Sequence, residues 1–246
     1  MDRMMPLVRP RLVPGYAPAP VALAPGLWSL ERRLRMPGGV TLPTRTTLIR
    51  LPSDGLLVVS PPAVEVGGLE SLDALGRVEE ILVPNSFHYL NARGFQARYP
   101  RATLRFPPGL HQRVLGLPAA EELGASAPPS WQGTLESAVL GPVGGSAEVA
   151  LFHRPSATLV LTDLAFHMIR FESLFERWAW RANGVPAGFG PSRTSRSFLL
   201  RDRTLAVAFL ERITAWPFSR VLVAHGEPLE HDAQAVFRKA FAAYLG

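Results

Sequence analysis

Two short apolar runs stop on side chains that can hold a metal or move a proton. Thr158-Leu159-Val160-Leu161-Thr162-Asp163 ends in a carboxylate, and Val221-Leu222-Val223-Ala224-His225-Gly226 ends on an imidazole and a glycine. Aliphatic and β-branched runs without alternation read as strands buried on both faces. A carboxylate and an imidazole at strand ends are the raw material of a metal or acid/base site. Asp163 also has a purely structural reading, because Asp is a favoured helix N-cap and the residues after it read as helical. The two readings weigh equally on residue type alone. Between Leu51 and Leu140 no His-x-His pair is present to complete a multi-histidine centre.

The composition narrows the chemistry. The 246 residues include no cysteine, which removes disulfides, thiolate zinc sites and a cysteine nucleophile together. A metal would rest on His, Asp and Glu, ligands that suit zinc, iron or manganese. Ser60, Ser86 and Ser156 lie outside any Gly-x-Ser-x-Gly elbow, and neither a dinucleotide fingerprint nor a Walker loop occurs. The net charge is +6 and Lys239 is the only lysine. The arginines are dispersed along the whole chain, which favours a coding bias over a nucleic-acid footprint. No run of eighteen apolar residues reads as a membrane helix, and Met1-Asp2-Arg3-Met4-Met5-Pro6 lacks signal-peptide order. A cytoplasmic location is expected.

The elements that must position these residues can be read in outline. Proline density over residues 1–25 excludes helix and central strand and reads as an extended arm, followed by one domain over 26–246. Strands are expected over 26–31, 46–51 and 55–60, the last two joined by the hairpin signal Asp54-Gly55. Further strands are expected over 79–83, 103–106, 137–140, 147–153, 158–163 and 221–225. Helices are expected over 64–75, 90–99, 166–180, 197–216 and 230–245, with 121–132 and 182–192 as loops. The aromatic-rich stretch 166–180 reads as core in preference to a pocket lining. The whole is α/β, with each candidate residue on a loop after a strand.

The order of elements and the two strand endings resemble the metallo-β-lactamase fold, a four-layer αββα sandwich with its site along one edge. In that resemblance Ser60 takes the place of the Asp that usually ends the opening hairpin. The four ligand positions of the His-x-His-x-Asp-His signature are filled by Pro84, Ser86, His88 and Tyr89. Asp163 matches the bridging aspartate and His225 the last His-Gly motif. Where a third histidine motif is expected, only the stretch 141–145 is found. More narrowly, the chain resembles a bacterial family of metallo-β-lactamase-like proteins of unassigned activity, through Pro84-Asn85-Ser86-Phe87-His88, Pro108-Gly109-Leu110, Glu148, His153-Arg154-Pro155-Ser156-Ala157-Thr158-Leu159 and Thr162-Asp163-Leu164. It covers residues 26–230.

The resemblance implies a ligand set of His88, Asp163 and His225, three N/O ligands with an open position for one divalent metal: zinc, iron or manganese. His88 also has a plainer reading, a histidine bonded within a Pro-Asn turn. Glu148 and His153 lie five apart on one strand and face opposite sides, so Glu148 is expected to pair with an arginine. His167 would share a helix face with Asp163 but reads as a surface residue, and His111 and His231 have no special context. The implied function is a hydrolase-like enzyme with a degenerate or non-standard metal site, acting on an ester, thioester, lactone or phosphoester. The alternative is a catalytically inactive pseudoenzyme, with no metal, binding a small ligand or partner protein through the same cleft. Nucleic acid is the third partner considered, since several proteins of this fold are nucleases; diffuse arginines weigh against it.

Overall fold

The computed structural model describes residues 11–12, 19–36, 38–64, 69–110 and 120–246. Most of the proline-rich arm, the start of the helix expected over 64–75 and His111 lie outside the described residues.

Two sheets form the centre. The first has eight strands: β1 (Arg11–Leu12), β2 (Val21–Ala24), β3 (Leu27–Arg35), β4 (Thr41–Arg50), β5 (Leu56–Val59), β6 (Val78–Leu82), β7 (Thr103–Phe106) and β8 (Ala120–Glu122). They run in the order β1-β3-β4-β5-β6-β7-β8, with β2 also on β3. The second is ordered β12-β11-β10-β9, from β9 (Leu135–Val143), β10 (Ser146–His153), β11 (Thr158–Val160) and β12 (Arg220–Leu222). The antiparallel β4–β5 hairpin closes through Leu51 N–H to Gly55 O at 2.8 Å, with Asp54 at φ +68. That is the left-handed turn the Asp-Gly pair favours.

Alternation along the strands builds three cores. Leu57 and Val59 of the first sheet meet Val149, Leu151, Val160 and Leu222 of the second, forming the core between the sheets. Leu56 and Val58 point the other way, onto α1 (Leu69–Asp73) and α2 (Ala92–Arg98). Ala150, Phe152 and Leu159 pack under α4 (Arg203–Thr214) and α5 (Ala233–Ala240). The result is the expected αββα layering, and burial on both faces explains why β5, β10 and β11 read as continuous apolar runs. A short α6 (Ala242–Leu245) follows α5.

Several expectations are corrected. The helix expected over 166–180 is α3 (Leu174–Ala182), which begins only where the Ser173 hydroxyl accepts from Glu176 N. Residues 164–173 are a loop, bridged to the chain at Phe166–Gly190 and His167–Gly226. The aromatic stretch is not simply core: Phe166 and Trp180 pack inward, whereas Trp178 is 67% exposed. The long helix expected over 197–216 is two pieces, a π turn at Ser195–Leu199 and α4, which Asp202 caps through Leu205 N. The stretch 121–132 carries part of β8 and a 3-10 turn at Pro129–Trp131, where the Trp131 indole N–H donates to the buried Glu80 carboxylate at 2.8 Å.

Candidate functional site

Three loops, after β6, β11 and β12, converge at one edge of the sandwich. Carboxyl ends of parallel strands are the usual place for a site in open α/β sheets, and β11 and β12 are a parallel pair. The loop after β6 brings His88, the loop after β11 brings Asp163, and the loop after β12 brings His225. His88 Nε2 lies 3.2 Å from Asp163 Oδ2, and His225 Nε2 lies 3.1 Å from Asp163 Oδ1. One ligand atom from each residue falls within 4.8 Å of the others, the one such group among the described residues.

Each ligand candidate is held from behind. His225 Nδ1–H donates to Pro43 O at 2.8 Å, and Phe166 stacks on the ring at 4.9 Å between centroids. The Arg45 guanidinium, from β4, donates to Val223 O and Gly226 O, on either side of His225. At Gly226 (φ +112) a Cβ would meet His167 O at 2.2 Å, so only glycine lets the two loops lie this close. Asn85 organises the other side. Its Oδ1 accepts from Phe87 N and His88 N, shaping the His88 loop, and its Nδ2 donates to Asp163 Oδ2 at 2.6 Å and Glu148 Oε2 at 2.8 Å.

Glu148 is fully buried at the start of β10. Its Oε1 accepts from Thr162 N at 3.0 Å, Asp163 N at 3.1 Å and the Thr162 hydroxyl. The expected pairing with an arginine is therefore wrong: backbone amides and Asn85 satisfy this acid. Burial first, and then the Asp163 charge, push its carboxyl up to about 7, against the hydrogen bonds from Thr162 and Asn85. Burial also opposes ionisation of Asp163, but the neighbouring His88 and His225 outweigh it and hold that carboxyl well below the usual carboxylate range.

The Nε2 atom of His225 decides what the arrangement can do. Pro43 O only accepts, so the Nδ1 proton is committed there. A neutral ring then offers Nε2 as a lone pair facing Asp163 Oδ1 at 3.1 Å. Two lone pairs at that distance repel unless a proton or a cation lies between them. Two imidazoles and a carboxylate suit zinc, and metal-ligating histidines characteristically donate their second N–H to a carbonyl or carboxylate. The residues present fit a divalent ion.

The three side chains open on a cleft of about 710 Å³ whose lining includes Leu34, Leu42, Ser60, Phe87 and Trp180. Ser60, in the place of the resemblance's hairpin Asp, lies at φ +58, and its carbonyl accepts from Thr46 Oγ1 at 2.6 Å.

The family model described as "Domain of unknown function (DUF4336)" matches residues 25–172. The chain belongs to this family. No curated protein matches it in sequence. Solved structures share the fold. The metal-soaked Flv1 flavodiiron core from Synechocystis sp. PCC6803 aligns with a TM-score of 0.63 at 12% identity, over 93% of this chain and 62% of that one. A metallo-β-lactamase from Erythrobacter litoralis aligns at 0.64 and 11%, over 95% and 100%. FIM-1 from Pseudomonas aeruginosa, in its mono-zinc form, aligns at 0.58 and 13%, over 93% and 96%. This DUF4336 chain thus has the metallo-β-lactamase fold, and the chain spans 62% of the flavodiiron core's length.

Among the residues singled out in the sequence, the structure brings together His88, Asp163 and His225. Asp163 does not cap a helix, because none starts there. His88 does lie in an Asn85-centred turn, but its ring reaches Asp163. The His167 ring does not join the three: its Nδ1–H donates to Glu227 O at 3.0 Å, while its backbone N–H donates to His225 O at 3.1 Å. His153 sits at the far end of β10. Asn85, Glu148, Arg45 and Pro43 were not singled out as site residues. A lone acid inside the apolar run Ala147-Glu148-Val149-Ala150 was the available signal for Glu148. Nothing local marks Arg45 or Pro43, whose partners lie about 180 residues away.

Proposed function

We propose that this protein is a hydrolase-like enzyme of the metallo-β-lactamase fold with a single-ion site formed by His88, Asp163 and His225. The observation that carries the reading is the His225 Nε2 lone pair set against Asp163 Oδ1, with Nδ1–H already given to Pro43 O. A divalent ion there would polarise a carbonyl or phosphoryl oxygen of an ester, thioester, lactone or phosphoester and acidify water beside it. The chain's own groups supply the rest. Asn85 fixes the Asp163 carboxylate and the His88 loop, Arg45 fixes the His225 loop, and the cleft walls exclude water from a bound substrate. Pro84, Ser86 and Tyr89, in the remaining signature positions, offer no imidazole, which supports one ion rather than two.

A second reading rests on the same residues. If His225 is protonated, Asp163 is fully answered by two imidazoles and Asn85, and the cleft is an ion-free binding site. Metal analysis of freshly purified protein separates the two. About one zinc, iron or manganese per chain, lost in His225→Ala, supports the enzyme, as does metal-dependent turnover of a panel of aryl esters, thioesters, lactones and phosphodiesters. A folded protein that holds no metal and takes up none on titration overturns it in favour of the second reading.

A further inference from the structure

The segment between β11 and β12 supplies Asp163 to the cleft, and it also has an outer side. Residues 164–203 carry seven arginines against three acids, a net +4 of the chain's +6. Arginine occurs throughout the chain, but its excess over acid is concentrated here. The three acids are engaged within the fold. Glu176 is buried and accepts from Thr41 N and Glu172 N, Glu172 pairs with Arg33, and Asp202 caps α4. The same segment holds five of the nine exposed large apolar side chains among the described residues: Ile169, Leu174, Phe175, Trp178 and Phe198.

Local structure sorts these residues. α3 turns Glu176 and Trp180 toward the fold: Trp180 lines the cleft, and its Nε1–H donates to Thr41 O at 3.1 Å. At about 3.6 residues per turn, Leu174, Phe175 and Trp178 then share the outward arc, where all three are exposed. The Phe175 and Trp178 rings lie 6.3 Å apart. Arg177 borders this arc and Arg170 precedes the helix, both exposed. Arg193 N–H donates to Gly184 O at 3.1 Å. That bond ties the following π turn, with exposed Arg196 and Phe198, to the end of α3. Apolar bulk and positive charge thus occur together on α3 and the turn beside it.

The charge says what covers such a surface. Symmetric self-association sets the same patch of two copies face to face, which here opposes arginine to arginine. An anionic layer over an apolar one answers both features at once: Trp, Phe and Leu enter the acyl boundary, and arginines stay at the head groups. We propose that α3 and the adjoining turn are a docking surface for an anionic lipid bilayer, with Leu174, Phe175 and Trp178 inserted and Arg170 and Arg177 on the lipid head groups. At nine residues α3 is too short to span a bilayer, so it lies in the interface. Docking there puts the cleft wall that carries Trp180 beside the lipid surface. The inference is independent of the single-ion reading.

Flotation of the full chain with vesicles tests it, using phosphatidylcholine alone and an equimolar mixture of phosphatidylcholine and phosphatidylglycerol. The protein should float with the mixed vesicles in preference to the neutral ones, and less so as salt rises. Affinity for the mixed vesicles should fall about tenfold or more in the double variant Phe175→Ser, Trp178→Ser. It should fall about fivefold for each arginine removed in Arg170→Gln and Arg177→Gln. Val21→Ser removes an exposed apolar side chain from β2, outside the segment, and should change nothing. A chain that floats with neither vesicle overturns the proposal. If that chain sediments as a dimer that Trp178→Ser disperses, a second copy covers the face instead. Equal flotation with both vesicles also overturns it, because the arginines then contribute nothing. So does unchanged flotation of the folded Phe175→Ser, Trp178→Ser variant, which places the contact elsewhere on the molecule.

Discussion

β10 and β11 carry a buried polar cluster at each end, and the two clusters are built on different terms. At one end, His153 Nδ1–H donates to Ser156 Oγ at 2.7 Å, and the Ser156 hydroxyl passes on to Thr158 Oγ1 at 2.8 Å. Thr158 in turn donates to Ser156 O. Every member is neutral, each proton has one destination, and none of them lines the cleft. At the other end, Glu148, Asp163, Asn85, His88 and His225 gather two acids and two imidazoles beside about 710 Å³ of open space. There a neutral His225 sets a lone pair against Asp163 Oδ1, and either a proton or an ion between them relieves it. A polar cluster that closes on itself stabilises a turn. One that leaves a proton or an ion to be supplied beside an open cleft is where the proposed site lies.

The sharpest way to break this comparison is to remove a ligand from each end. On the single-ion reading, His225→Ala should lower zinc affinity beyond the roughly 100-fold that outer-shell changes produce. His153→Ala, at the closed end, should leave it within about twofold, as for distant sites. Competition titration with a chromophoric chelator measures both. If the two variants behave alike, the ends do not differ in the way proposed.

Asn85→Ala comes next. It removes the donor to Asp163 and the acceptor that shapes the His88 loop, so metal affinity should fall about 10- to 100-fold. Asn85→Asp keeps the acceptor for Phe87 N and His88 N but sets a third carboxylate against Glu148 and Asp163. The same titration, with thermal midpoints, should show Asn85→Asp the less stable of the two without metal. Equal midpoints would mean that the acids at this end are not repelling one another.

Glu148→Ala probes the fold rather than the ion. Its loss leaves Thr162 N and Asp163 N without their buried acceptor, and an unmet buried group of this kind typically costs about 1–3 kcal/mol. Denaturant unfolding should place this variant below Ser156→Ala, which breaks a single link in the neutral chain.

How much of this was legible in the sequence depends on range. The layers and the hairpin at Asp54-Gly55 were, because apolar runs and turn residues act locally. So were Asp163 and His225, which end their runs. Helix starts were missed where a cap competed with hydrophobic pattern: Ser173 and Asp202 delay α3 and α4, although Ser173-x-x-Glu176 was there to be read. The orienting partners were not legible, because a carbonyl at position 43 or a guanidinium at 45 meets residue 225 only after the sandwich has closed. Glu148 was misassigned for a related reason. An acid among many arginines suggests an ion pair, but its carboxylate instead meets backbone amides, which carry no sequence signal.

The smallest effect is a difference in sign. Burial pushes His153 down from the ordinary 6.5 to about 4, so the folded state resists its protonation. The unfolded chain binds the extra proton between those values, and stability from this end is intact above 6.5 and lost as pH falls toward 4. Glu148 is pushed up from 4.5 to about 7, so the folded state binds the extra proton. Stability from this end is intact below 4.5 and lost as pH rises toward 7. Over nearly the same window, the two ends of one strand thus respond in opposite directions. Asp163, held low, loses its contribution only as pH drops below its ordinary 3.8. Denaturant midpoints of metal-free protein between pH 4 and 7 should therefore rise less steeply with pH in His153→Gln than in the wild type, and more steeply in Glu148→Gln. Changes in the same direction for both variants would mean that the two ends of β10 do not carry the opposed protonation preferences their surroundings impose.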